Sequence, residues 1–200
     1  MTKLDVGTRD FEAEPSRGVF ARRYAAGAPQ VVWTRLIADL ETPVSAMLKL
    51  SDGRPMSCLL ESVEGGAVRG RYSIIGLPAY RVYAFAGHTL FVSELGDLVE
   101  TRVVDDPLAE VERLRSAQNI PQIAGLPGFT GGLVGWFGFE CIQYIEPRLR
   151  GENKPDELGT PDILLMESRE VAVFDNLKGR LYLVVHADPR EPRAWAKAQR

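Results

Sequence analysis

Apolar residues recur along this chain mostly in short runs, and only a few stretches carry helical spacing. Over 31–40, Val32, Leu36, Ile37 and Leu40 are spaced for one face of a helix, and Pro43 follows as a stop, which predicts a short amphipathic helix. Past Pro43 the period shortens. Segments 44–50, 57–60, 81–85, 89–92 and 100–104 are apolar or alternating runs separated by Gly, Pro and Asp, and read as strands. Gly87-His88 lies between two of them with the length of a tight hairpin turn, so antiparallel pairing is expected there.

Asp106-Pro107 opens a second helix. Asp106 is placed to cap it, Pro107 takes its first position, and Leu108, Val111 and Leu114 line one face, with Glu110 and Glu112 near its positive end. A Gly- and Pro-rich passage over 120–130 leads into Gly131-Gly132-Leu133-Val134-Gly135-Trp136-Phe137-Gly138, which reads as a buried, glycine-thinned strand. After a polar loop at 148–160, strand character resumes at 163–166 and 170–174. Asp175 to Gly179 turns the chain into a last strand over 180–187, a second hairpin. Several hairpins with a few helices between them predict an α+β fold, mainly antiparallel β-sheet with flanking helices. The expected division is a polar tail at 1–20, one domain at 21–190, and the start of a helix at 191–200. Residues 192–200 form an Ala-rich helical pattern with no Gly or Pro to end it, so a further domain is expected to follow.

Composition narrows the function classes. Hydrophobic residues at 45% and charged residues at 26% describe a chain able to build a core rather than a disordered one. The 24 Lys and Arg against 27 Asp and Glu are interspersed, for a net charge of −3, and nucleic acid is not an expected partner. No apolar run reaches membrane-spanning length and the first ten residues are polar, so a cytoplasmic location without membrane attachment is expected. Cys58 and Cys141 sit in apolar stretches without metal-ligand spacing and read as reduced, buried thiols.

Catalytic signatures are missing. The chain has no G-x-S-x-G, H-E-x-x-H, C-x-x-C, Walker lysine loop or G-x-G-x-x-G. Glycines 132, 135 and 138 recur every third residue, which suits close backbone packing better than nucleotide binding. His88 and His186 stand in no catalytic pattern and read as structural, Asp105, Asp106 and Glu110 as helix-capping, and Asp175 as a turn residue. The segment that stands out is Cys58-Leu59-Leu60-Glu61-Ser62-Val63-Glu64-Gly65-Gly66, followed by Arg69-Gly70-Arg71-Tyr72-Ser73-Ile74-Ile75-Gly76. An apolar strand that ends in a carboxylate and a hydroxyl suits an amphipathic amino-acid ligand; a strand ending in a plain polar turn is the other reading.

LLESVEGG followed by RGRYSIIG resembles the amino-terminal region of anthranilate synthase component I. Ala38 to Ala46 is similar to that family's opening helix and first strand, Gly131 to Glu140 to its glycine-rich stretch, and Tyr144-Ile145-Glu146 and Ser168 to Asp175 continue the match, from about Tyr24 to Pro189. Leu77 to Phe85 departs from the pattern. The resemblance implies the amino-terminal part of the chorismate-utilising enzyme fold. It implies that the complete subunit converts chorismate to anthranilate and pyruvate, as a lyase of tryptophan biosynthesis. Ammonia would come from a glutamine amidotransferase, either a separate component II or a fused domain, and a bound magnesium ion would be held by the carboxy-terminal chorismate-binding domain. No residue of this chain matches the family's catalytic or metal-binding positions, so none is assigned, and this piece alone is expected to be inactive. What it implies here is a share in the feedback site for L-tryptophan, at Leu60, Glu61, Ser62 and Arg71. The alternatives are the amino-terminal part of aminodeoxychorismate synthase component I and a free-standing amino-acid-binding regulator; the intact LLES favours the anthranilate enzyme.

Overall fold

A computed structural model describes residues 12–61, 70–149 and 157–199. In chain order the elements are α1 (Arg17–Ala25), β1 (Gln30–Ile37), α2 (Pro43–Ser51), β2 (Cys58–Glu61), β3 (Tyr72–Gly76), β4 (Arg81–Ala86), β5 (Thr89–Glu94) and β6 (Asp97–Val103). There follow α3 (Pro107–Ala117), β7 (Gly132–Phe137), α4 (Ile142–Ile145), β8 (Ile163–Ser168), β9 (Glu170–Asp175), β10 (Arg180–Ala187) and α5 (Ala194–Ala198). The strands make two five-stranded sheets. One, sheet A, has the order β1-β10-β9-β3-β2, and the other, sheet B, the order β6-β5-β4-β8-β7. Every pairing is antiparallel. The expected α+β class therefore holds, and the chain passes from sheet B to sheet A through Arg169 alone, between β8 and β9.

Two elements exchange the types read from their sequences. Segment 31–40, read as a helix, is β1 and pairs along its whole length with β10. Val31 and Val32 are both buried because the sheet is covered on both faces, so adjacent apolar residues are needed there and the spacing from Val32 to Leu36 is incidental to a helix. Segment 44–50, read as a strand, is α2. Thr42 caps it: Thr42 Oγ1 accepts from the Ser45 N–H at 3.1 Å and Ser45 Oγ accepts from the Thr42 N–H at 3.0 Å, while Pro43 takes the first helical position. Pro43 thus starts a helix rather than stopping one. Ala46, Met47 and Leu50 turn inward and Val44 and Leu48 outward.

The remaining strand readings hold. β4 and β5 join at Gly87-His88 with Ala86 opposite Thr89, and β9 and β10 form the second hairpin with Asp175 opposite Arg180. α3 is capped as expected, with Asp106 Oδ1 accepting from the Leu108 and Ala109 N–H groups at 2.9 and 3.0 Å. β7 is a strand but a buried one only at its start, since Trp136 and Phe137 are exposed at the sheet edge. Close packing explains Gly135, where an added Cβ would lie 1.8 Å from the Leu164 carbonyl oxygen. Gly132 is needed instead for its φ of +136°. α1 begins at Arg17, inside the stretch read as a polar tail, and its Phe20 is buried.

Alternation on β9 and β10 places the core. Val171, Val173, Tyr182 and Val184 face one way with Val31, under Ile120, Ile123, Leu126 and Phe129 of the preceding loop. Ala172, Phe174 and Leu181 face the other way with Ile75, under α2. α1 and α5 meet through Phe20 and Trp195, with ring centroids 4.9 Å apart, over Val32 and Ala187. Sheet B buries Tyr83, Phe85, Leu90, Val92, Ile163 and Leu165 beneath Leu108, Val111 and Leu114 of α3.

Candidate functional site

β2 is an edge strand, and its pairing with β3 decides where the candidate residues stand. Leu60 is opposite Ile74 and Glu61 opposite Ser73. Residues paired across an antiparallel ladder share a face, so Leu60 lies on the side of Ile74 and Tyr72, and Glu61 on the side of Ser73 and Ile75. Leu60 is 47% exposed and Glu61 is exposed, while Leu59 just before them packs into the core beneath α2. Ser62 lies outside the described residues.

Arg71 comes immediately before β3, and its guanidinium meets a partner 104 positions away. Nε donates to Asp175 Oδ1 at 3.0 Å and Nη2 to Asp175 Oδ2 at 2.7 Å, a bidentate pair. The same guanidinium stacks 4.8 Å from the centroid of the Tyr72 ring. Asp175 is only 2% exposed and sits opposite Tyr72 on β9. The hydrogen bond from Arg71 holds its carboxyl below the usual range against the opposing effect of burial, and raises Arg71 in return. Asn176 completes the rim. Its backbone N–H donates to the Arg71 carbonyl at 2.8 Å, and its side-chain amide donates to Ser73 Oγ at 3.2 Å.

The structure therefore places Leu60 and the Arg71 guanidinium on the face of β3 that carries Tyr72 and Ile74, and sets Glu61 on the other. An apolar ring could rest on Leu60, Ile74 and Tyr72, and the Glu61 carboxylate could accept from an ammonium group reaching over the edge. Arg71 has a structural role that the sequence reading lacked. Two of its nitrogens are bound to Asp175, which was read as a turn residue and serves as one too, accepting from the Lys178 N–H at 3.2 Å. Nothing in local spacing announces a contact between residues so far apart.

Other candidates resolve into structural roles. His186 Nε2 lies 2.6 Å from the Thr130 carbonyl, and burial pushes its pKa down. His88 Nδ1 lies 3.1 Å from the Val104 carbonyl. Both cysteines are free thiols, Cys141 buried and Cys58 half-buried, and burial pushes each thiol up. Among the described residues no group of three or more His, Cys, Asp or Glu side chains is placed to hold a metal ion, and no helix is long and apolar enough to cross a membrane. An open cleft of about 640 Å³ between Tyr80, Arg169, His186 and α5, and one of about 240 Å³ between sheet B and α3, lie elsewhere; neither is lined by Leu60, Glu61 or Arg71.

Fold and rim together define an antiparallel α+β module with a polar strand end at one edge of sheet A. Comparison with known proteins gives the family. The chain is 45% identical to anthranilate synthase component 1 of Pseudomonas putida over 92% of its own length and 37% of that protein's. It is 50% identical to the protein of the same name from Pseudomonas aeruginosa over 82% of its length and 33% of the relative's, and 47% identical to that of Neisseria meningitidis over 82% and 34%. The crystal structure of anthranilate synthase component I from Streptococcus pneumoniae superposes with a TM-score of 0.50 at 24% identity, over 80% of this chain and 33% of that one, which supports the fold. No protein-family profile matches. The chain belongs to the anthranilate synthase component I family and spans about a third of the length of the relatives it matches.

Proposed function

We propose that this chain is the amino-terminal regulatory part of an anthranilate synthase component I, and that the end of β2 forms part of a site for L-tryptophan as feedback inhibitor. The observation that carries the reading is the juxtaposition at the edge of sheet A. An exposed Leu60 stands at the end of β2 on the face of a Tyr72 ring held in place by the Arg71–Asp175 pair, and the exposed Glu61 follows it on the opposite face of the strand end. An amino acid with an aromatic side chain presents the complementary groups, an ammonium for Glu61 and a flat apolar ring for Leu60 and Tyr72. Arg71 acts chiefly by fixing Tyr72 and the strand end, and Ser62 follows Glu61 directly in the chain.

The complete subunit, on this reading, is a cytoplasmic lyase of tryptophan biosynthesis that converts chorismate to anthranilate and pyruvate, with ammonia from a glutamine amidotransferase partner. Its chorismate-binding machinery lies outside the matched third. The magnesium ion of that reaction has no ligand cluster among the described residues, so no residue here is assigned to it and no step is drawn through it. Inhibition requires tryptophan to bind one arrangement of the subunit more tightly than another, and a difference of about 1 to 3 kcal/mol suffices for control.

The test is enzymatic. A complete subunit carrying this sequence should form anthranilate rather than aminodeoxychorismate, and Ser62→Arg should abolish inhibition by tryptophan while turnover stays within about twofold of the parent, a change in barrier near 0.4 kcal/mol. Retained tryptophan sensitivity in that variant would remove the site assignment, and aminodeoxychorismate as product would remove the family role.

A further inference from the structure

The hairpin turn after β9 touches the candidate site from both faces of sheet A. Asp175 takes the face of Tyr72 through its pair with Arg71, and Asn176, the next residue, takes the other. The turn itself does without the Asn176 side chain, since Asp175 closes it by accepting from the Lys178 N–H at 3.2 Å. That side chain instead crosses to the start of β3. Its Nδ2 lies 3.2 Å from the Gly70 carbonyl oxygen and 3.2 Å from Ser73 Oγ, and its backbone N–H donates to the Arg71 carbonyl. A carbonyl oxygen only accepts, so the bond to Gly70 fixes which end of the amide faces β3, and Ser73 Oγ is then an acceptor as well. The Ser73 proton is left to donate elsewhere. Ser73 is only 3% exposed, and on its face of the sheet Phe174 stands opposite on β9 and Ile75 follows along β3, neither of which has a side-chain acceptor. Opposite it on β2 stands Glu61.

We propose that Asn176 is a positioning residue of this site: it holds Ser73 as an acceptor, so that the Ser73 hydroxyl turns its proton to the Glu61 carboxylate and fixes that carboxylate for the ammonium group of the ligand. Side chains directly opposite in an antiparallel pair have Cβ atoms about 4.5 to 5.5 Å apart, within reach of a hydroxyl and a glutamate carboxylate. An exposed glutamate at a strand end has rotamer freedom to lose on binding, and one restrained beforehand loses less. Removing the Asn176 amide frees the hydroxyl to turn, and the carboxylate with it. The inference rests on the tryptophan reading of the strand end. It adds a division of roles within one turn, Asp175 holding the aromatic face and Asn176 the charged group.

Titration of L-tryptophan into the complete subunit tests it, with dissociation constants compared across a double-mutant cycle. Asn176→Ala should weaken binding by about fivefold, and in a Glu61→Gln background, where no carboxylate awaits the ammonium group, by less than about twofold. A merely structural tie between the turn and β3 gives the same fold-loss in both backgrounds; that result would overturn the proposal, as would unaltered binding in Asn176→Ala alone. If Glu61→Gln binds too weakly to measure, the cycle is read from Ser73→Ala, where Asn176→Ala should again cost less than about twofold. Asn176→Asp keeps the shape but reverses the bond, because a carboxylate accepts from Ser73 and draws its proton away from Glu61. It too should weaken binding, whereas its added negative charge acting alone would strengthen it, so tighter binding in this variant counts against the proposal. The two readings separate cleanly. Loss of binding in Ser62→Arg with binding intact in Asn176→Ala would sink this inference and leave the site standing, while parent-like binding in Ser62→Arg would sink both.

Discussion

The two sheets have the same strand number and the same antiparallel pairing, yet they are finished differently. Sheet A is closed on both faces, by α2 on one and by the 120–129 loop on the other. Its β1 edge is further tied by paired hydrogen bonds of 2.8 Å between Glu14 and Trp33. Its open edge is β2, and the half-buried Arg71–Asp175 ion pair lies inside that edge, at the ends of β3 and β9. Sheet B is closed by α3 on one face and ends at β7 in a row of exposed aromatic and aliphatic groups. The contrast teaches what each edge is suited to. A rim with a fixed carboxylate and guanidinium can discriminate a small polar ligand, while an apolar edge recognises extended protein surface with little chemical detail.

That contrast can be sharpened on sheet A, beginning with the largest effect. Asp175→Ala should destabilise the chain by about 3 kcal/mol, because it strands the Arg71 guanidinium beside a buried strand end, and urea unfolding would measure it. A loss under about 0.5 kcal/mol would place Arg71–Asp175 with ordinary surface pairs such as the exposed Arg148–Glu146. The pH dependence has a definite sign. The carboxyl of Asp175 is lower in the folded chain than in the unfolded one, so its stabilisation is fully present above the unfolded value of about 3.9. It is lost as pH falls through the folded value. Wild type should therefore lose stability below pH 4 more steeply than Asp175→Ala. The smaller effect concerns α2, which covers one face of sheet A. Thr42→Ala removes one half of the capping box at α2 and should cost about 1 kcal/mol in the same assay, with hydrogen exchange quickening first over 43–51.

Much of this architecture was legible in the sequence, and the places where it was not have physical causes. Hairpins announced themselves because Gly87-His88 and Asp175 to Gly179 carry turn chemistry between alternating runs. The helix α3 was legible because Asp106-Pro107 fixes its start. β1 and α2 were read with their types exchanged, since apolar runs of seven or eight residues fit both periods and the deciding information is tertiary. β1 lies in a sheet covered on both sides, and α2 is a helix whose Val44 and Leu48 face outward. Thr42-Pro43-Val44-Ser45 did hold a local cue, a capping box with Pro at the first helical position, outweighed by reading Pro43 as a terminator. At the candidate site, Leu60 and Glu61 stood out because an apolar strand runs into charged residues. The pairing of Arg71 with Asp175 was not, because it depends on β3 and β9 being neighbours in sheet A.

The central claim is that the end of β2 belongs to a receptor for tryptophan that is completed by polypeptide outside this chain. Isothermal titration of L-tryptophan into the 200-residue chain and into the complete subunit measures it most directly. The account predicts saturable binding to the complete subunit and binding to the chain weaker by about tenfold or more, some 1.4 kcal/mol. Equal affinities would contradict it, as would the absence of binding in both.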